Sequence, residues 1–171
     1  MIILGIDPGT AVTGYGVIDG GTGANGLRLI ECGVLRTSPR APLADRLLDI
    51  FEGVTELIER HRPGALAVED VFFARNVRTT LVLGHARGVV LLAGARASLT
   101  IHEYSPAIIK KAVVGRGAAT KEQVQYMVAR LLRLRTAPQP SDAADGVACA
   151  LTLALSAPLD RLRKRAGGLH A

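Results

Sequence analysis

Four acids occupy places where a solubility charge has little reason to be. Asp7 follows the apolar run Ile2–Ile6 and precedes the turn signal Pro8-Gly9-Thr10. Glu69 closes the apolar run Ala65–Val68. Asp142 and Asp145 stand three residues apart at the start of a helical pattern, so they share one face. Each acid alone has an ordinary explanation. Asp before Pro-Gly is a good turn starter, because its side chain bonds nearby backbone. A buried strand often finishes in a charge that reaches solvent. Asp142 fits an N-cap, and both helix acids favour the positive end of the helix dipole. Together these explanations weaken. In a mixed α/β sheet, the ends of two adjacent strands and one helix converge at an edge. Four carboxylates there repel one another unless cations neutralise them. Such a set of hard oxygens suits Mg²⁺ or Mn²⁺. Two ions about 4 Å apart activate a water and stabilise the leaving oxygen of a phosphodiester.

No competing constellation is present in the sequence. His61, His85, His102 and His170 are scattered without ligand spacing, and no Ser-His-Asp or Cys-His set appears. Cys32 and Cys149 lack metal spacing and sit in apolar surroundings, so both are expected to be buried, reduced thiols.

The elements that must carry these acids are readable from periodicity. Ile2–Ile6, Thr13–Asp19 and Leu27–Leu35 read as three strands joined by short turns, an antiparallel meander. From Pro42 to Arg60 the period changes to three and four, through Leu43, Leu47, Ile50, Phe51, Val54, Leu57 and Ile58. Asp45, Asp49, Glu52, Glu56 and Glu59 take the other face, as in an amphipathic helix that Pro63-Gly64 ends. Ala65–Glu69 follows as a buried strand, Val77–Ala97 as a long helix, Thr100–Tyr104 as a strand and Pro106–Val114 as a helix. Thr120 with Gln123 forms a capping-box pattern that opens a helix to Leu132. Ser141–Ser156 reads as the last helix. A meander followed by alternating helix and strand predicts an α/β fold: a five-stranded mixed sheet with helices on both faces. Residues 1–158 read as one domain, and 159–171 as a basic, flexible C-terminal tail.

Charge points to the partner. The 171 residues carry 21 Lys and Arg against 15 Asp and Glu, a formal charge of +6. A basic globular domain suits an anionic partner, nucleic acid before membrane. The apolar stretches fall far short of the ~20 residues that span a bilayer, and no secretory signal pattern opens the chain, which points to the cytoplasm. Between Val71 and Lys121 lie Arg75, Arg78, Arg87, Arg96, Lys110, Lys111, Arg116 and Lys121, with Glu103 the sole acid. Such residues position phosphates without reading sequence. Arg87 and Arg96 also fit plain helix-face solubility charges. Phe72 and Phe73 follow directly on the Glu69 strand; core packing is the competing explanation for Phe73.

These residues resemble a family. Ile3-Leu4-Gly5-Ile6-Asp7-Pro8-Gly9-Thr10 with Thr13-Gly14-Tyr15-Gly16 is similar to the opening of RuvC Holliday junction resolvases. So are Val68-Glu69-Asp70-Val71-Phe72-Phe73-Ala74-Arg75-Asn76, Leu83-Gly84-His85-Ala86-Arg87-Gly88, Val113-Val114-Gly115 and Lys121 with Gln123-Val124-Gln125. Asp142-Ala143-Ala144-Asp145-Gly146 completes an ordered series over about Met1 to Ala157. The resemblance implies an RNase H-like fold, a homodimer, and paired nicking of four-way junction DNA with two Mg²⁺ or Mn²⁺ ions per active site. It implies that Asp7, Glu69, Asp142 and Asp145 bind the metals and act in catalysis. Some relatives place His at the position of Asp142. It further implies DNA contacts at Phe72, which would stack on an unpaired base, and at Phe73, Arg75, Asn76, Arg78, Lys110, Lys111, Arg116 and Lys121. A partnership with the RuvA-RuvB branch-migration complex follows by analogy. Gly146 and Cys149 depart from the family pattern where Leu or Ala is expected, which touches packing rather than the acids.

The junction's near two-fold symmetry suits a C2 dimer. Val82, Val89, Leu92 and Ala93 on the long helix form an apolar stripe beyond what one sheet face needs, and place that helix at the interface. Three rivals stand beside this reading. An actin-like ATPase or sugar kinase also uses an acid-Gly-Thr turn, though this chain is short for two such domains. An RNase H-like nuclease acting on RNA and an inert junction-binding module are the others.

Overall fold

The computed structural model describes residues 1–21, 26–70 and 77–167. Five strands form one sheet: β1 (Ile2–Asp7), β2 (Val12–Asp19), β3 (Arg28–Arg36), β4 (Ala65–Glu69) and β5 (Thr100–Tyr104). Their spatial order is β3-β2-β1-β4-β5, with the first three antiparallel and β1, β4 and β5 parallel. The meander and the mixed sheet are as expected. The strand ends move by a residue or two, and Asp7 itself joins the ladder opposite Gly14.

The pleat sorts side chains between two helical layers, because successive strand residues point to opposite faces. Leu4, Ile6, Val17, Leu66 and Val68 meet α1 (Leu43–His61) and α2 (Val77–Arg96) through Ile50, Val54, Leu57, Ala86, Val90 and Ala93. Ile3, Ile18, Ala65 and Ala67 meet α3 (Pro106–Val114), α4 (Lys121–Leu131) and α5 (Ser141–Gly167) through Ile109, Val113, Val124, Val128 and Val147–Leu151. Each face is sealed by fully buried aliphatics, each of which contributes on the order of 1.5–3 kcal/mol.

Helix ends follow local chemistry. Ser105 caps α3 by accepting from the Ile108 N–H at 3.4 Å. Thr120 and Gln123 form the expected capping box on α4. Ser141 is already helical, so Asp142 lies in the first turn of α5 rather than at its N-cap. α5 continues past Ser156 to Gly167. Pro158 removes one N–H donor, and the following Leu, Arg and Lys residues are good helix formers. Cys149 is buried as expected, but Cys32 on edge strand β3 is only partly so. Among the described residues, no helix is long and apolar enough to cross a membrane.

Candidate active site

Asp7 and Glu69 come together because their strands are parallel neighbours in a fixed register. Gly5 pairs with Ala67 and Ile6 with Val68, so Asp7 and Glu69 leave the sheet side by side. Alternation turns both toward α5. The carboxyl ends of parallel strands are where open α/β sheets bind ligands.

α5 brings the other two acids by lying unusually close to the sheet. A Cβ on Gly14 would stand 1.9 Å from the carbonyl oxygen of Asp142, and one on Gly146 would stand 2.5 Å from Cα of Tyr15. Only residues without a side chain let the helix down to this depth. Gly146, a departure from the family pattern, therefore belongs to the approach of helix to sheet. One carboxylate oxygen each from Asp7, Asp142 and Asp145 lies within 4.8 Å of the others. Glu69 stands outside that triad but lines the same cavity of about 250 Å³ with Asp7, Asp145, Lys110 and Lys121. Asp7 and Asp145 are thus common to two carboxylate groupings, one completed by Asp142, the other by Glu69.

Electrostatics record the cost of this gathering. Burial, then the charges of Asp145 and Asp142, push the Asp7 carboxyl up to about 7, against the pull of Lys121. Burial, then Asp7 and Asp145, push Glu69 up to about 8, against Lys110 and Lys121. Near neutral pH both carboxyls therefore still hold part of their protons, and arriving positive charge favours their full ionisation. The donor set is all hard oxygen, crowded and under-compensated, which fits a divalent cation of the Mg²⁺ or Mn²⁺ class.

The residues expected to touch DNA divide. Lys121 enters the acid cluster, its Nζ 2.7 Å from Oδ2 of Asp145, and the hydrogen bond it donates to that carboxylate raises the lysine's own pKa. Lys110 lines the same cavity. Lys111 is exposed and outside it. Arg116 donates to Oε1 of Gln123 at 2.9 Å, beside the cap of α4. Phe72, Phe73, Arg75 and Asn76 lie outside the described residues, as does the side chain of Arg78. Arg87 is not a solubility charge: it pairs with Asp70 at 3.3 Å and with Glu103. Arg96 lies over the Phe51 ring, 5.8 Å from its centroid. Sequence reasoning missed the direct contact of Lys121 with the acids. A signal was present: Lys121 is the first residue of α4, where the helix dipole disfavours a cation.

The stripe expected on α2 also divides. Ala93 is in the core, with Val82 and Val89 half-buried. The exposed large apolar residues among the described part of α2 are Leu81 and Leu92, each 60% accessible, with bare Gly84 and Gly88 between them.

Comparison with known proteins gives a consistent result. The family model for crossover junction endodeoxyribonuclease RuvC matches residues 3–153. A RuvC from Halorhodospira halophila is 54% identical over 159 residues, covering 92% of this chain and 93% of that one. One from Pelotomaculum thermopropionicum is 48% identical over 151 residues, covering 88% and 91%. Among solved structures, Thermus thermophilus RuvC in complex with a Holliday junction substrate is 41% identical. It superposes with a TM-score of 0.88, covering 94% of this chain and 96% of that one. The sheet and its helical layers thus have the RNase H-like form.

Proposed function

We propose that this chain, which belongs to the RuvC family of crossover junction endodeoxyribonucleases, resolves four-way DNA junctions by paired, symmetric nicks through two-ion hydrolysis. The observation that carries the reading is the convergence of Asp7, Asp142 and Asp145 within 4.8 Å, with Glu69 beside them. Family membership answers the nucleotide-binding alternative, since the family is one of nucleases.

In this reading Asp7, Glu69, Asp142 and Asp145 would hold two Mg²⁺ or Mn²⁺ ions. When bound, such ions lower the pKa of a water and stabilise charge on the leaving oxygen. The chain supplies the geometry. Parallel strands fix Asp7 and Glu69, and the closely packed α5 fixes Asp142 and Asp145. Lys121 holds Asp145 and keeps positive charge in the cavity where a phosphate arrives, while Lys110 adds a second cation. Phe72, Phe73, Arg75, Asn76, Arg78, Lys111 and Arg116 would add further DNA contacts. Residues 1–158 form the nuclease domain and 159–171 a basic tail.

Two opposed strands of a junction need two opposed sites, so the active unit is a C2 dimer. The Leu81, Gly84, Gly88 and Leu92 face of α2 suits it: the bare glycines admit a second helix closely, and the leucines bury against it. The RuvA-RuvB branch-migration complex and the cytoplasm complete the reading by family analogy.

The test is cleavage of a synthetic four-way DNA junction against linear duplex and structured RNA, with Mg²⁺, Mn²⁺ or chelator. Paired, metal-dependent nicks in the junction alone support the reading. Junction binding without nicks under either metal would leave a binding module, and preference for RNA would redirect the substrate.

A further inference from the structure

The tandem acids Glu69 and Asp70 are separated by the pleat. Glu69 turns to the α5 face and into the cavity. Asp70 turns to the opposite face, where α2 packs, as does Glu103 across the ladder on β5. There Nη2 of Arg87 meets both, with Oδ1 of Asp70 at 3.3 Å and Oε2 of Glu103 as its second partner. The Asp70 N–H also donates to the Tyr104 carbonyl at 2.8 Å, so β4 stays pinned to β5 one residue beyond Glu69.

A one-residue slip or a twist at this strand end would exchange the faces of the two acids. Asp70, one methylene shorter than Glu69, would then point at the cavity. Arg87 opposes that exchange by rewarding Asp70 for staying on the α2 face. Its placement is not chosen for its own comfort, since its Nε is buried without a hydrogen-bond partner among the described residues. We infer that Arg87 is a positioning residue: through Asp70 and Glu103 it clamps the carboxyl end of β4 so that Glu69 is presented to the metal site. The inference rests on the reading of Glu69 as a metal-binding carboxylate.

The test compares Arg87→Gln, Arg87→Lys, Asp70→Asn and Glu69→Gln with the parent chain. Mn²⁺ binding to the DNA-free protein is followed by calorimetry. Junction cleavage is measured across a Mg²⁺ titration, and junction binding in chelator. Arg87→Gln is expected to weaken Mn²⁺ binding and raise the half-saturating Mg²⁺ by about tenfold, with junction binding in chelator held within about twofold. Arg87→Lys restores part of this, since one ammonium can still reach one carboxylate. Asp70→Asn, at a half-exposed site where folding is not at risk, shifts the metal response in the same direction by a smaller factor. A lowered melting temperature with an unchanged metal response would overturn the inference and leave Arg87 a structural residue. Loss of junction binding in chelator, with metal affinity intact, would overturn it in favour of direct DNA contact. Full cleavage by Glu69→Gln would instead remove the premise, whatever Arg87 does.

Discussion

Glu31 and Asp7 lie on opposite faces of one sheet, each partly withdrawn from water, and their surroundings treat the same functional group in opposite ways. Glu31 on β3 faces α1. Its Oε1 accepts from the Tyr15 hydroxyl at 2.8 Å, its Oε2 meets Nε2 of His61 at 2.8 Å, and Nη1 of Arg60 reaches both oxygens at 3.2 Å. Burial by itself would raise this carboxyl, but the bonds from Tyr15 and His61 and the Arg60 charge outweigh burial and hold it below its ordinary value. Asp7 faces α5 and meets Asp142 and Asp145, with Glu69 across the same cavity and Lys121 the opposing charge. Its carboxyl rises to about 7. A carboxylate surrounded by donors is finished and can only support structure. One surrounded by its own kind is unfinished, and its free energy is lowered by a cation from outside.

The largest effect expected from this contrast is at Asp7. Asp7→Asn keeps the shape and removes a charge shared by both carboxylate groupings. Metal assistance contributes several kcal/mol to such hydrolysis, and each 1.36 kcal/mol is a factor of ten, so cleavage should fall by roughly 10³-fold or more. Gel assays of junction nicking and of junction binding in chelator check it: binding should persist.

Gly14→Ala tests whether the depth of α5 matters. Its Cβ would meet the carbonyl of Asp142 at 1.9 Å. Such overpacking costs about 1–3 kcal/mol, and it should lift the first turn of α5 away from Asp7. Denaturant unfolding and Mg²⁺ titration of cleavage should both shift, while the Glu31 network, on the far face, is untouched.

The two regions should also respond to pH with opposite sign. In the metal-free chain, Asp7 and Glu69 keep protons to about 7 and about 8, whereas their ordinary values are 3.8 and 4.5. The folded state therefore binds more protons than the unfolded state across that window. The contribution of Asp7 and Glu69 to stability is greatest below about 4 and declines as pH rises toward 8, by up to about 1.4 kcal/mol per pH unit for each full proton of difference. Melting in chelator between pH 5 and 8.5 should show the decline, and saturating Mg²⁺ should flatten it. Glu31, held low, contributes stability that is present above about 4.5 and is lost as pH falls.

The smallest effect is at Glu31 itself. Glu31→Gln removes a partly exposed ionic centre and should cost about 1 kcal/mol, read by thermal melting. The metal dependence of cleavage should not move. A changed metal response would break the contrast between the regions.

Much of the fold was legible because the elements are local. Alternation marked the strands, three-four spacing marked α1, and Thr120 with Gln123 announced the start of α4. The four acids stood out because each sits at an element's end. What local patterns hide is which face meets which. Arg87 read as a fitting solubility charge and Lys121 as a DNA contact, yet one pairs with Asp70 behind β4 and the other enters the acid cluster. Val82, Val89, Leu92 and Ala93 looked like one stripe, but packing against the sheet took Ala93 and left Leu81 and Leu92 outside.

The sequence by itself determined the kinds of element, their order, and the chemical type of the site. These depend on propensity, period and residue chemistry, which act within a few positions of the chain. Only the tertiary structure decided that Asp7 and Asp145 are shared between two carboxylate groupings, that α5 comes down onto Gly14, and that Asp70 is turned away from Glu69. Those outcomes depend on strand register and helix depth, which are set by packing between residues far apart in the chain.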